Sequence, residues 1–168
     1  MRRFLVSIAI LGAATASHGA EPGPVCAPIL KAMARTLVAD HASLTQSNGQ
    51  SMNGITAGGV YYLQIENVWK VSPLSPKENQ SRSDENLRNA KTYVCQSLPD
   101  SIVDGVPVAN YRTRTETEDV VVESKIAISK VSGLAIEVEN DLTSGGIGKS
   151  HYSTRYSYSG VHAPSVQK

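Results

Sequence analysis

Two cysteines, Cys26 and Cys95, are the only thiols in the 168-residue chain. No C-x-x-C motif occurs, and no cluster of His, Asp or Glu accompanies either one, so neither a redox nor a metal site is indicated. In an oxidising compartment an isolated pair is most simply one disulfide. A loop of this length closes with roughly 4 kcal/mol in the chain-entropy account. The histidines offer less. His41 falls on an apolar helical stripe, where core packing and ligation are the two readings and packing is the commoner. His151 shares a strand face with Lys149 and Arg155, and His162 lies in a loose tail. None has metal-ligand spacing to another. There is no G-x-S-x-G elbow for a nucleophilic serine. Gly145–Ser150, GGIGKS, lacks the spacing of a phosphate loop and precedes a strand rather than a helix. Glu137 and Glu139 occupy the polar face of a hairpin, which reads as a solvated face rather than an acid pair. Tyr152, Tyr156 and Tyr158 form a stripe that serves either as core or as the lining of a cavity for an amphiphile, since a phenol combines apolar area with one polar tip. No catalytic motif, cofactor site or metal site is expected.

These residues must be positioned by an exported domain. Arg2-Arg3 is a positive n-region, Phe4–Ala14 an apolar run too short to span a bilayer, and small residues follow to Ala20. This is the pattern of a secretory signal peptide over residues 1–20, with cleavage after Ala16 or after Ala20. Its removal takes two of the 16 basic residues and leaves 14 against 15 acidic, a net charge of −1. Without a basic cluster, a nucleic-acid binder is excluded. No later segment is apolar enough to span a membrane, so the expected product, residues 21–168, is a single soluble periplasmic or secreted domain.

The strongest pattern is Val120–Asn140. Val120, Val122, Ile126 and Ile128 alternate with Glu123, Lys125 and Ser129, and Leu134, Ile136 and Val138 alternate with Glu137 and Glu139. Alternation marks half-buried strands. A three-residue loop, Val131-Ser132-Gly133, would face Ile128 against Ile136 and Ile126 against Val138, with Gly133 at φ > 0. Ala27–Leu44 has helical apolar spacing, ended by Asn48-Gly49, and Gln46–Gly54 reads as a polar loop. Gly58–Ser72 reads as one long strand with Tyr61, Leu63, Ile65, Trp69 and Val71 inward. Asn67 interrupts it, as a bulge or as a ligand contact. Ser72–Arg82 reads as a loop and Ser83–Ala90 as a short helix. Thr92–Leu98, the Asp104-Gly105 hairpin with a strand running to Thr115, and His151–Ser159 complete the pattern. Tight turns imply antiparallel neighbours. The expectation is an α+β fold: a curved antiparallel sheet, an incomplete barrel of about six strands, with the N-terminal helix on its concave face.

This order of elements resembles the periplasmic lipoprotein carriers and their relatives, the LolA-like half-barrel superfamily. The likeness rests on an amphipathic helix, a long first strand ending near Trp69, then Cys95, Asp104-Gly105, Tyr111, and Ile128-Ser129 leading to Ser132-Gly133-Leu134. It implies a half-barrel with helices as a lid over an apolar cavity that accepts acyl chains. Gly105, Tyr111, Gly133 and Leu134 match as structural residues, and no family functional residue can be placed.

Two functions compete. In one, the protein binds a lipid or a lipoprotein acyl chain in a groove lined by Leu63, Ile65, Trp69, Ile126, Ile128, Ile136 and Val138, faced by Leu37 and Val38. In the other, an envelope interaction protein fills its sheet with its own helix and binds a protein partner. A continuous apolar cavity of roughly 300 Å³ or more would favour the first. A filled core with an exposed apolar patch would favour the second. A cleft holding a His with a carboxylate would favour an enzyme.

Overall fold

The computed structural model describes residues 22–146 and 148–166. The expected signal peptide lies outside these residues. A 3-10 turn, Pro24–Cys26, leads into α1, Ala27–Val38, with Pro28 in its first turn, where a missing N–H costs nothing. Ile29, Ala32 and Thr36 are its buried residues, one stripe at helical spacing. The helix is shorter than its apolar periodicity suggests. Ala39 turns extended at φ −71° and ψ 149°, and His41–Ser47 form strand β1.

Asn48-Gly49 therefore does not end a helix. With φ of 49° and 76° it is a two-residue turn into β2, Gln50–Ala57, which replaces the expected polar loop. Asn-Gly is a strong hairpin signal because both residues tolerate the left-handed region. Gly58-Gly59 turns the chain again into β3, Val60–Ile65, and Glu66-Asn67 turns it into β4, Val68–Val71. Asn67 is thus not a bulge but a hairpin residue at φ 63°. The turn has a consequence for the faces. Gln64 pairs with Trp69 and Leu63 with Lys70, so Trp69 stands on the face opposite Leu63.

A second helix, α2, Pro76–Arg88, begins earlier than expected. Ser75 Oγ accepts from Glu78 N at 3.2 Å, and Glu78 Oε2 accepts from Ser75 N at 2.7 Å. This capping box, with Pro76 at the first helical position, satisfies two backbone donors that would otherwise be orphaned. Five strands follow: β5 Thr92–Val103, β6 Val106–Glu116, β7 Val120–Ser129, β8 Ala135–Ser144 and β9 Gly148–Ser157. The nine strands form one open antiparallel sheet, in the order β4-β3-β2-β1-β9-β8-β7-β6-β5, where about six were expected. Two meanders, β1–β4 and β5–β9, are joined by β1 pairing with β9. α2 links the strands at the two opposite edges, β4 and β5.

The organising hairpin is β7–β8. Ile126 faces Val138 as expected, but Ile128 pairs with Ala135 and not with Ile136. Ser129 N donates to Leu134 O at 2.9 Å, so four residues, Lys130–Gly133, make the connection. Gly133 does take φ 68°. Ile136 is the extra residue of a β-bulge, which shifts the alternation by one and returns both Ala135 and Val138 to the buried face. The core is Ile29, Ala32, Ile126, Ile128, Ala135 and Val138, with Met33, Cys95, Tyr111 and Tyr156 packed around it.

Candidate functional site

The side of the sheet that carries α1 holds the site. Three ties fix the helix there. Cys26 and Cys95 form a disulfide, with Cα atoms 5.3 Å apart, which pins the helix start to β5. At the other end Ala135 N donates to Thr36 Oγ1 at 2.9 Å, and the Tyr158 hydroxyl, which donates to Ala135 O at 2.5 Å, lies 3.4 Å from Thr36 Oγ1. Between them Ile29 and Ala32 are fully buried against β7 and β8. α2 then rests on α1, with Leu87 beside Leu30, Met33 and Leu37 around a small cleft of about 120 Å³.

Beneath the two helices lies a cavity of about 540 Å³. Its roof is Ile29, Leu30 and Met33 of α1 with Ser83, Asn86 and Leu87 of α2. Its floor runs from Tyr93 of β5 to Tyr152 of β9 and includes Val120, Val122, Ile126 and Val138. Polar floor residues stand among these: Thr113, Thr115, Ser124 and Asn140. Burial raises the pKa of the Tyr93 and Tyr152 hydroxyls further above neutrality.

The expected groove residues are not all brought together. Ile126 and Val138 line the cavity, and Ile128 is buried in the core beside it. Leu37 lines the cleft between the helices instead. Val38 is exposed at the end of α1, Ile65 is exposed, and Ile136 is half-buried at the bulge. Leu63 and Ile65 lie on β3, separated from β8 by β2, β1 and β9, and Trp69 is on the other face. The residues that sequence reasoning left out are the roof, supplied by both helices, and the polar floor. Val120 and Val122 carried a legible signal, being in phase with Ile126. The polar floor could be found only from cross-strand register.

His41 is buried, as its place on the apolar stripe suggested, though it is delivered by a strand. It donates from Nδ1 to Ala39 O at 2.8 Å and meets Tyr156 edge-on at 5.3 Å between ring centroids. Desolvation lowers its pKa, against smaller raising effects of the Ala39 hydrogen bond and Asp40. The tyrosine stripe divides its work: Tyr152 lines the cavity, Tyr156 packs on the core, and Tyr158 bridges Ala135 of β8 and Thr36 of α1.

The opposite face carries a larger hollow, about 730 Å³, bordered by Arg114, Glu123, Asp141, Lys149 and His151. His151 Nδ1 meets Asp141 Oδ1 at 2.8 Å, and Arg114 Nη1 meets Glu123 Oε1 at 2.8 Å. A His with a carboxylate is the mark of an enzyme site only in a cleft that shields it. Here the side chains are 59% and 69% exposed. Among the described residues no hydroxyl or thiol hydrogen-bonds the ring. Such pairs contribute about 0–1 kcal/mol in water, and a solvated, charged hollow does not retain hydrocarbon. The smaller cavity, whose lining is uncharged and mostly apolar, is therefore the candidate site. Among the described residues there is also no metal-ligand group of three and no helix long and apolar enough to cross a membrane.

No protein-family model matches the chain, and no curated protein does. Solved structures do. The lipoprotein LppX of Mycobacterium tuberculosis aligns over 83% of this chain and 98% of its own, with a TM-score of 0.51 at 9% identity. The chain shares the fold of LppX. LprF from Mycobacterium bovis aligns over 86% of this chain and 98% of its own, with a TM-score of 0.48 at 7% identity. MucB, solved in complex with MucA(peri), aligns over 83% of this chain and 57% of its own, with a TM-score of 0.44 at 13% identity. At 9% identity the likeness to LppX is one of fold. What the present chain binds has to be argued from its own cavity.

Proposed function

We propose that the protein is an exported, non-enzymatic binding protein that holds an acyl chain, of a lipid or a lipoprotein, between α1, α2 and the sheet. The observation that carries this reading is the cavity of about 540 Å³ roofed by Leu30, Met33 and Leu87 and floored by Val120, Val122 and Ile126. Its volume lies within the ~300–1,000 Å³ usual for small-molecule sites. Apolar surface on both sides removes a hydrocarbon chain from water at about 25 cal/mol per Å². The N-terminal pattern of Arg2-Arg3 followed by Phe4–Ala14 supports export and processing to a domain beginning near residue 21.

The partner-binding reading finds support in Val94 and Ile102, exposed on β5 at the sheet margin. That margin is guarded, however. A register shift between Leu98 and Ser101 interrupts it, and Asp100 beside it is paired to Lys130. Bulges and charges are the usual devices that keep an edge strand from accepting another chain. The lipid reading is tested by native mass spectrometry and lipid extraction of protein purified from the envelope. Co-purifying acyl lipid is expected. A ligand-free protein that also fails to bind palmitate or monopalmitoylglycerol in vitro would transfer the proposal to the partner-binding reading. Trp69 emission is no reporter, because that ring lies on the far face. Leu87→Trp places one at the cavity roof.

A further inference from the structure

The cavity floor is not uniformly apolar, and the register arranges its polar residues in a row. Thr113 pairs with Ser124, Ser124 with Asn140, and Asn140 with Tyr152. Directly paired residues project on the same face, so four polar side chains from β6, β7, β8 and β9 cross the floor side by side. The next row toward the core is Tyr111, Ile126, Val138 and Thr154, which brings the buried Ile126 and Val138 against α1. On the other side of the polar row stand Val122 and Val120. A saturated chain lying along the strands would have to cross this row.

We infer that the Thr113–Ser124–Asn140–Tyr152 row makes the site selective for acyl chains bearing an uncharged polar group, an ester, over free fatty acids. This rests on the lipid-binding reading given above. None of the described residues lining the cavity is Asp, Glu, Lys, Arg or His. A carboxylate entering it would leave water with no cation to meet it, which is strongly unfavourable. An ester carbonyl needs only a donor. Asn140 is set to supply one. The Ser124 hydroxyl donates to Asn140 Oδ1 at 2.7 Å, and no hydrogen bond among the described residues uses the Asn140 amide nitrogen. Thr113, 3% exposed, adds a hydroxyl two strands away from Asn140, on β6. Tyr152, a phenol that is protonated at neutral pH, adds another on the far side.

Titration of the full processed protein with monopalmitoylglycerol and with palmitate, at a pH where palmitate is ionised, separates the possibilities. The ester is expected to bind at least about tenfold more tightly, the size of one well-made hydrogen bond. Asn140→Leu removes the donor and should cut ester affinity by a similar factor while leaving palmitate affinity unchanged or improved. Thr113→Val, nearly isosteric, should act in the same direction with less effect and guards against a folding defect in the first variant. Equal affinity for the two lipids, or a ratio unaltered in both folded variants, would overturn the inference while leaving lipid binding intact. Failure of either lipid to bind would overturn the lipid-binding reading itself, and the selectivity with it.

Discussion

At the scale of the residue, His41 connects the fold to pH. It is 4% exposed and packed on Tyr156, and desolvation holds its pKa below the free value of 6.5. The folded protein therefore keeps the ring neutral, and unfolding releases a ring that protonates more readily. Above the unfolded pKa both states are neutral and the stability contribution is full. As pH falls from about 6.5 toward the lowered folded pKa, the unfolded state takes up the proton first and stability is lost. Chemical denaturation at a series of pH values should show this decline, and His41→Asn, which can still donate to the Ala39 carbonyl, should flatten it. An identical slope in the variant would assign the pH dependence elsewhere. Gly54 shows another constraint at this scale. A Cβ there would lie 2.6 Å from Ser43 Oγ and 2.9 Å from the Tyr61 hydroxyl, so the absence of a side chain lets Tyr61 cross β2.

At the scale of the element, α2 is the helix whose existence depends most on its ends. Its sequence is polar nearly throughout, and Pro76 is its only buried residue. A helix with little apolar surface to bury relies on capping and on short-range pairs. Ser75→Ala should cost about 1 kcal/mol by breaking the capping box. Because α2 rests on α1 rather than in the core, the loss should appear as local opening. Hydrogen exchange of the α2 amides should accelerate while the amides of β7 and β8 keep their protection. If all of them accelerate together, α2 is part of the global folding unit and cannot open alone over the cavity.

At the scale of the whole molecule, the core and the cavity lie side by side, and truncations should separate them. Ile128 is buried among Ile29, Ala32 and Ala135, so Ile128→Ala should cost roughly 2–5 kcal/mol. Leu87 is half-buried at the cavity roof, and its truncation should cost under about 1 kcal/mol while weakening acyl-chain binding more. Equilibrium unfolding together with lipid titration of both variants checks the pair. A core-sized loss of stability for Leu87→Ala would mean that α2 fills the space as packing rather than covering a site.

The sequence by itself determined much of the local structure. Alternation in Val120–Ser129, the Asp104-Gly105 turn, the left-handed Gly133 and the apolar stripe of α1 are all encoded within a few residues, where side-chain period and backbone sterics act directly. Asn48-Gly49 and Ser75-Pro-Lys-Glu78 were equally legible as a hairpin turn and a capping box, and were obscured by an apolar spacing that ran past the true end of α1 and by the scarcity of apolar residues in α2. The disulfide followed from the count of cysteines. Tertiary structure alone decided the rest. The pairing of β1 with β9 joins residues over a hundred positions apart, and no local pattern specifies it. The bulge at Ile136 shifts the alternation by one residue and changes which side chains are buried, and the Glu66-Asn67 turn carries Trp69 to the far face. The polar row exists only because four strands, each contributing one residue, are held in a single register. A cavity is the space that remains between packed elements, so its lining depends on every contact that places them.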